Sequence, residues 1–247
     1  MSTPKLLQFV RSFLFPDKCI FCGVHMKKQG EFTCDDCAKA LPHVKSPICE
    51  RCGKTKSSCT CSALGGLWFE RAVSPFEYAD KARHAVHMIK FRSYTCAMPT
   101  AARYMLSKLH EIYGSVLPFD VITFVPMTRR GVRRRGYNQA ELLARSISEL
   151  CGIPCAELLK KVVETKAQRT LNERQRRTNV LGCFEASEKA SRLRVLLVDD
   201  VMTSGATLNE CAKALAFVSA NSVSCVTFAT TIIPRHTAKP KRGKINK

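Results

Sequence analysis

The chain has 247 residues, 45% of them hydrophobic, and carries 40 Lys and Arg against 20 Asp and Glu, a formal charge of +20. That length accommodates one full-sized α/β domain plus a small module, and no apolar run approaches the roughly 20 residues needed to cross a bilayer, so no transmembrane segment is expected. The basic excess favours a polyanionic partner (nucleic acid, nucleotide phosphate or anionic lipid) and is silent about fold.

The first apolar stretch, LLQFVRSFLF, reads as a short amphipathic helix broken by Arg11, with no small-residue cleavage site behind it. It either packs on its own domain or docks transiently on a membrane or partner. Eight of the 14 cysteines then crowd between residues 19 and 61, in the pairs Cys19/Cys22, Cys34/Cys37, Cys49/Cys52 and Cys59/Cys61. A CxxC turn presents two thiolates to one ion, and two such turns complete a tetrahedral site that suits zinc. A double zinc ribbon is therefore expected, its eight cysteines all metal ligands and its metal structural, since no coordination position is left open. Sequential pairing is the simplest scheme; interleaved pairing stays open, and the single spacer of Cys59-Thr60-Cys61 makes the second site the looser one. His25 and His43 are alternative ligands or surface residues. The module either caps the main domain or offers a docking surface.

From residue 67 the pattern changes. LWFERAVSPFEY reads as a strand or hairpin, and DKARHAVHMIKF as a helix behind Asp80, with Ala82, Ala85, Val86 and Ile89 on one face. MPTAARYMLSKLHEIY is a second helix, and DVITFVP a short buried strand stopped by Pro126. GYNQAELLARSISELCGI is a helix ended near Gly152. LRVLLVDD is the clearest strand, followed by the helix ATLNECAKALAFVS and the strand VSCVTFATTI. Strands alternating with helices imply a parallel sheet, whose ligands bind beyond the carboxyl ends of its strands. The last residues, RHTAKPKRGKINK, read as a basic disordered tail.

That layout places VLLVDDVMTSGATL, residues 195–208. Val195–Val198 form buried strand, Asp199 and Asp200 emerge at its carboxyl edge, and MTSGAT turns into a helix N-terminus that favours anions. Thr203, Ser204 and Thr207 add hydroxyls, Gly205 lets the backbone approach an anion closely, and Ala206 completes the cradle. A bare phosphate does not want two carboxylates beside it; a sugar phosphate does, because carboxylates hold ribose hydroxyls directly or through Mg²⁺. A phospho-receiver pocket would leave far more chain after the acidic pair than the 47 residues present, and a mononucleotide P-loop needs a lysine after its glycines.

VLLVDDVMTSGATL resembles the phosphoribosyl pyrophosphate (PRPP) signature of type I phosphoribosyltransferases. The cysteine pairs, FEYADKARHAVHMIKF, VPMTRRGVRRRGYNQAELLA and KAQRTLNERQRRTN precede it in the order of ComF/GntX-type proteins. The resemblance spans about residues 5 to 233. It implies an α/β fold: a type I phosphoribosyltransferase-like parallel sheet flanked by helices over residues 67–234, after an N-terminal helix and ribbon module (1–66) and before the tail (235–247). It also implies Asp199 and Asp200 as the ribose-holding acids and 203–207 as the 5′-phosphate cradle. Thr128, Arg129 and Arg130 fall in a pyrophosphate loop, and residues 160–180 in a flexible loop, with Lys166 holding pyrophosphate as well. Mg²⁺ with PRPP, a role in DNA uptake and natural transformation, competence-pathway partners such as a helicase or recombination mediator, and a place in the cytoplasm or at the inner membrane surface follow from the same resemblance. Departures are small: Ser204 replaces a common threonine, and VPM a more usual VPVPL.

TRRGVRRRGYNQAELLAR and KKVVETKAQRTLNERQRR together hold thirteen basic residues, more than one PRPP molecule needs. Arg133, Arg134, Arg135, Arg174, Arg176 and Arg177, with Tyr137 as a stacking surface, suit single-stranded nucleic acid; the bland reading is a solvated face. Two functions compete: a competence factor that binds PRPP or a nucleotide end together with single-stranded DNA, and an active PRPP-dependent phosphoribosyltransferase of nucleotide metabolism. No nucleobase pocket or general base is legible, and His84 and His87 read as surface or packing residues.

Overall fold

The computed structural model describes residues 17–28, 30–91, 94–163 and 182–232. Its centre is a five-stranded parallel sheet. β1 (Arg71–Val73) and β2 (Phe76–Glu77) both pair with β7 (Ser222–Thr230), which pairs with β6 (Arg194–Met202), and β6 pairs with β3 (Val121–Phe124). Val195, Leu196, Leu197 and Val198 are fully buried, which is why this stretch reads as an unbroken apolar run rather than an alternating one. Beyond β3, Cys155 adds one more parallel bridge at Ile122.

Of the strand and the hairpin that LWFERAVSPFEY leaves open, the structure forms the strand, interrupted once. β1 and β2 run in the same direction along β7, with Ser74 and Pro75 between them. Proline has no N–H to give the ladder, so pairing lapses there, and the Ser74 and Thr227 hydroxyls, 2.6 Å apart, bridge the gap.

Helices cover both faces. α2 (Asp80–Phe91) buries the stripe Ala82, Ala85, Val86 and Ile89. α3 (Met98–Tyr113) and α5 (Gln139–Cys151) pack together; α3 lies on β7, and α5 on β3 and β6. α6 (Ala206–Phe217) packs against β6, β7 and a small antiparallel pair, β4 (Leu159–Lys161) and β5 (Phe184–Ala186). The connection leaving β3 runs through α5 to Cys155, on one side of the strand. The connection leaving β6 runs through α6 to β7, on the other. The carboxyl ends of β3 and β6 thus flank the topological switch point, where open α/β sheets take their ligands.

A short α1 (Asp35–Lys39) belongs to the cysteine-rich module, which shares the main core. Phe21 is 1% exposed and packs edge-on to Phe76 and Tyr104, at 5.7 and 5.8 Å between centroids. Burying such a ring is worth about 2–3 kcal/mol, so module and sheet stabilise each other.

Candidate functional site

β3 hands its chain to the site directly: Val125 N–H still donates to Val198 O at 2.9 Å. The expected pyrophosphate loop therefore departs beside Asp199. Thr128 then caps α4 (Arg129–Arg135), its hydroxyl accepting from Gly131 N–H at 3.1 Å. Asn138 caps α5 and ties back to Val125 O at 3.0 Å. The arginine run is thus a short helix at the carboxyl edge. Arg129, Arg130, Arg133 and Arg134 are exposed, whereas Arg135 is half-buried, donates to Gln139 Oε1 at 2.7 Å and lies over the Phe91 ring. Tyr137 is half-buried as well, and its hydroxyl donates to Ile89 O. Arg174, Arg176, Arg177 and Lys166 lie outside the described residues, as do the N-terminal helix, the tail and most of the expected flexible loop.

The two acids occupy the end of β6, past the last residue paired with β3. Successive strand residues face opposite sides of a sheet. Asp200 meets α2, where Lys90 Nζ lies 2.9 Å from its Oδ2. Asp199 lies toward β4 and α6, near Lys161 and the buried Cys211. Its carboxyl is pushed up to about 7, by burial first and then by the Asp200 charge, against the pull of Lys90 and Lys161. Asp199 Oδ1 also accepts the Asp200 N–H at 2.8 Å. Lys90, paired with Asp200, and Lys161, whose charge reaches Asp199 from β4, are not foreseen from the sequence. They belong to segments 110 and 38 residues away from their acids, and no local motif marks them.

The loop after the acids turns at Gly205, whose φ of +86° an L-residue with a side chain adopts only at a cost. Ser204 and Ala206 are buried, and Thr203 and Thr207 partly exposed. α6 starts without a side-chain cap. The backbone N–H groups of Ser204 and Gly205 donate to no described residue. Unpartnered amides at a helix entry make an anion cradle.

Both cysteine clusters form in sequential order: Cys19, Cys22, Cys34 and Cys37, then Cys49, Cys52, Cys59 and Cys61, with all Sγ atoms of each cluster within 4.8 Å of one another. Cys22 and Cys34, Cys49 and Cys61, and Cys52 and Cys59 are each 3.7 Å apart. That is far from a disulfide and close to the sulfur–sulfur edge of about 3.8 Å that a tetrahedron of Zn–S bonds requires. Burial and the neighbouring thiols push Cys37 and Cys61 up, so four thiolates do not gather without a cation between them. The donor sets fit structural zinc, and neither cluster includes His25 or His43.

A parallel sheet covered by helices, with an acidic strand end and a glycine turn at its switch point, defines an open α/β domain, here joined to a module of two four-cysteine clusters. The sequence matches the phosphoribosyl transferase domain over residues 110–246 and the double zinc ribbon domain over residues 10–65. It is 31% identical to Competence protein F of Haemophilus influenzae over 215 residues, 81% of this chain and 91% of that one. It is 29% identical to the DNA utilization protein YhgH of Salmonella typhimurium, again over 81% and 91% of the two chains. Competence protein ComFC of Streptococcus pneumoniae is 26% identical, over 83% and 96%. Among solved structures, a glutamine PRPP amidotransferase from B. subtilis aligns with 53% of this chain and 26% of its own, at 21% identity and a TM-score of 0.36. The chain belongs to the ComF/GntX-type proteins of the phosphoribosyltransferase superfamily. Among the described residues, no helix is long and apolar enough to cross a membrane.

Proposed function

We propose that this protein serves DNA uptake by holding PRPP, or another ribose 5-phosphate ligand, at the switch point while its basic edge carries single-stranded DNA. The observation that carries the reading is the juxtaposition at the end of β6: two carboxylates, one of them paired with Lys90, next to a loop with two amides that find no partner among the described residues. Amides and the α6 N-terminus suit the 5′-phosphate, Asp199 and Asp200 suit the ribose hydroxyls with Mg²⁺, and Thr128, Arg129 and Arg130 stand where a pyrophosphate would extend toward β3. Uptake enters through the names of the relatives, and DNA through the exposed arginines of α4.

One observation favours catalysis as the second reading: burial and the Asp200 charge raise the Asp199 carboxyl, so it takes up a proton more readily than an ordinary carboxylate. In such a transfer the acceptor bonds to ribose C1, the C1–pyrophosphate bond breaks, and Asp199 receives the proton the acceptor sheds. Calorimetric titration of the full chain with PRPP and Mg²⁺ tests the shared core of both readings. Binding that disappears in Asp200→Ala supports it, and no binding by the wild type refutes it. Release of pyrophosphate on adding nucleobases separates the two, and transformation frequency in the Asp199→Ala/Asp200→Ala strain ties the site to uptake.

A further inference from the structure

The second cysteine cluster sits on the phosphate loop. Lys54 is 1% exposed, and its ammonium donates to Thr203 O. Thr60 Oγ1 donates to the next carbonyl, Ser204 O, at 3.0 Å. The same two residues belong to the cluster's own main chain: Lys54 O accepts from Cys49 N–H at 2.7 Å, and Thr60 stands between the ligand positions Cys59 and Cys61. The segment that follows continues the grip. Asn209, in the first turns of α6, donates to Gly66 O and accepts from Trp68 N–H, and Leu64 lies where a side chain on Gly205 would project.

In a planar trans peptide the C=O of one residue points opposite to the N–H of the next. Holding Thr203 O and Ser204 O toward the ribbon therefore turns Ser204 N–H and Gly205 N–H away from it. Neither of these amides finds a partner among the described residues. The ribbon does more than cap the domain: it sets the orientation of two successive donors, and such donors bind anions best when fixed before the ligand arrives.

We propose that Lys54 and Thr60 are positioning residues through which the cluster of Cys49, Cys52, Cys59 and Cys61 presets the 203–207 loop for a phosphate, so that ligand affinity depends on the metal state of the second ribbon site and not of the first. The affinity half of this rests on the ribose-phosphate reading; the preset loop does not. Lys54 and Thr60 are tied to the cluster through main-chain atoms, so Lys54→Met and Thr60→Val leave the thiolate set in place. The metal is bound as part of the fold, and a second-sphere hydrogen bond is a known means of relaying ligand geometry outward.

The test measures zinc content, backbone 15N order parameters and ribose 5-phosphate affinity in the full chain. In Lys54→Met/Thr60→Val, zinc content stays at the wild-type value while the order parameters of Ser204 and Gly205 fall from the rigid range, about 0.85, to below about 0.6, and the ribose 5-phosphate Kd rises by about tenfold, the loss expected for about one hydrogen bond. Cys61→Ser lowers the same order parameters, and Cys22→Ser does not. Unchanged order parameters in the zinc-replete double variant overturn the inference, as does an equal fall in both cysteine variants. If the wild type takes up no ribose 5-phosphate, the proposed function fails, and the order parameters still decide whether the ribbon presets the loop.

Discussion

Lys90 Nζ stands 2.9 Å from Asp200 Oδ2, joining the last turn of α2 to the end of β6 across 110 residues of sequence. Both side chains are largely shielded, so the pair is more than a surface ion pair. Lys90 also counteracts the rise in the Asp199 carboxyl. Lys90→Met is expected to lower stability by roughly 1–3 kcal/mol and to move the Asp199 titration above its position near 7. Carboxyl-detected NMR titration of wild type and variant checks this. An unmoved Asp199 midpoint would mean that Lys90 serves Asp200 alone.

The raised Asp199 pKa fixes a sign. The folded protein keeps this proton well above the pH at which the unfolded chain has shed it, so the contribution to stability is complete below about 4 and drains away as pH rises through about 7. Relative to Asp199→Asn, the wild type is expected to lose thermal stability between pH 5 and pH 8. Because Mg²⁺ and ribose hydroxyls favour the carboxylate, PRPP binding is expected to release protons and to tighten over the same interval. Melting curves of the two proteins side by side, and calorimetry in buffers of different ionisation heat, read the two effects separately.

Much of the fold is legible locally. The buried run Val195–Val198 and the stripe of α2 are patterns within one element, and the cysteine spacing gives both clusters in the right order. The loop 203–207 is legible because it combines strand end, glycine and hydroxyls in one segment. What is not legible comes from elsewhere in the chain. Lys90 meets Asp200 only because the fold brings the end of α2 to the end of β6, and Lys54 looks like a surface lysine of a zinc knuckle until the knuckle is seen lying on the loop. The edge of β1 and β2 stays undecided between strand and hairpin in the sequence because Pro75 reads as a turn, whereas it interrupts hydrogen bonding without reversing the chain.

Gly53 shows how tightly the second knuckle seats on the sheet. Its φ is +66°, and a Cβ there would come within 2.3 Å of the Ala72 carbonyl oxygen of β1. The obstacle is backbone, so no side chain can swing aside. Gly53→Ala is expected to weaken zinc retention at one of the two sites and to lower the melting temperature, while Gly30→Ala, with open space around its Cβ, loses little beyond the strain of its own positive φ. Zinc release against a chelator series and thermal melts of both variants measure the difference.

The arginines of α4 separate into two sets with different expected consequences. Arg135 supports structure through Gln139 and Phe91, and its replacement risks the α4–α5 junction. Arg129, Arg130, Arg133 and Arg134 are exposed, so alanine at all four positions keeps the helix, for which it is the better former, and removes four charges from the carboxyl edge. If these side chains lie on a single strand, each phosphate left without its arginine flattens the dependence of log K on log salt by about 0.7, and the slope of the quadruple variant should fall by roughly 2 to 3. Affinity should fall most at low salt and converge with the wild type at high salt. Fluorescence anisotropy with a labelled oligothymidine from 50 to 400 mM salt (roughly the range over which counterion release dominates) reads the slope directly. PRPP affinity in the same variant falls too if Arg129 and Arg130 also hold pyrophosphate, and a parallel Arg133→Ala/Arg134→Ala protein isolates the strand-binding pair. An unchanged slope in both would return α4 to a solvated basic face and move the DNA surface elsewhere.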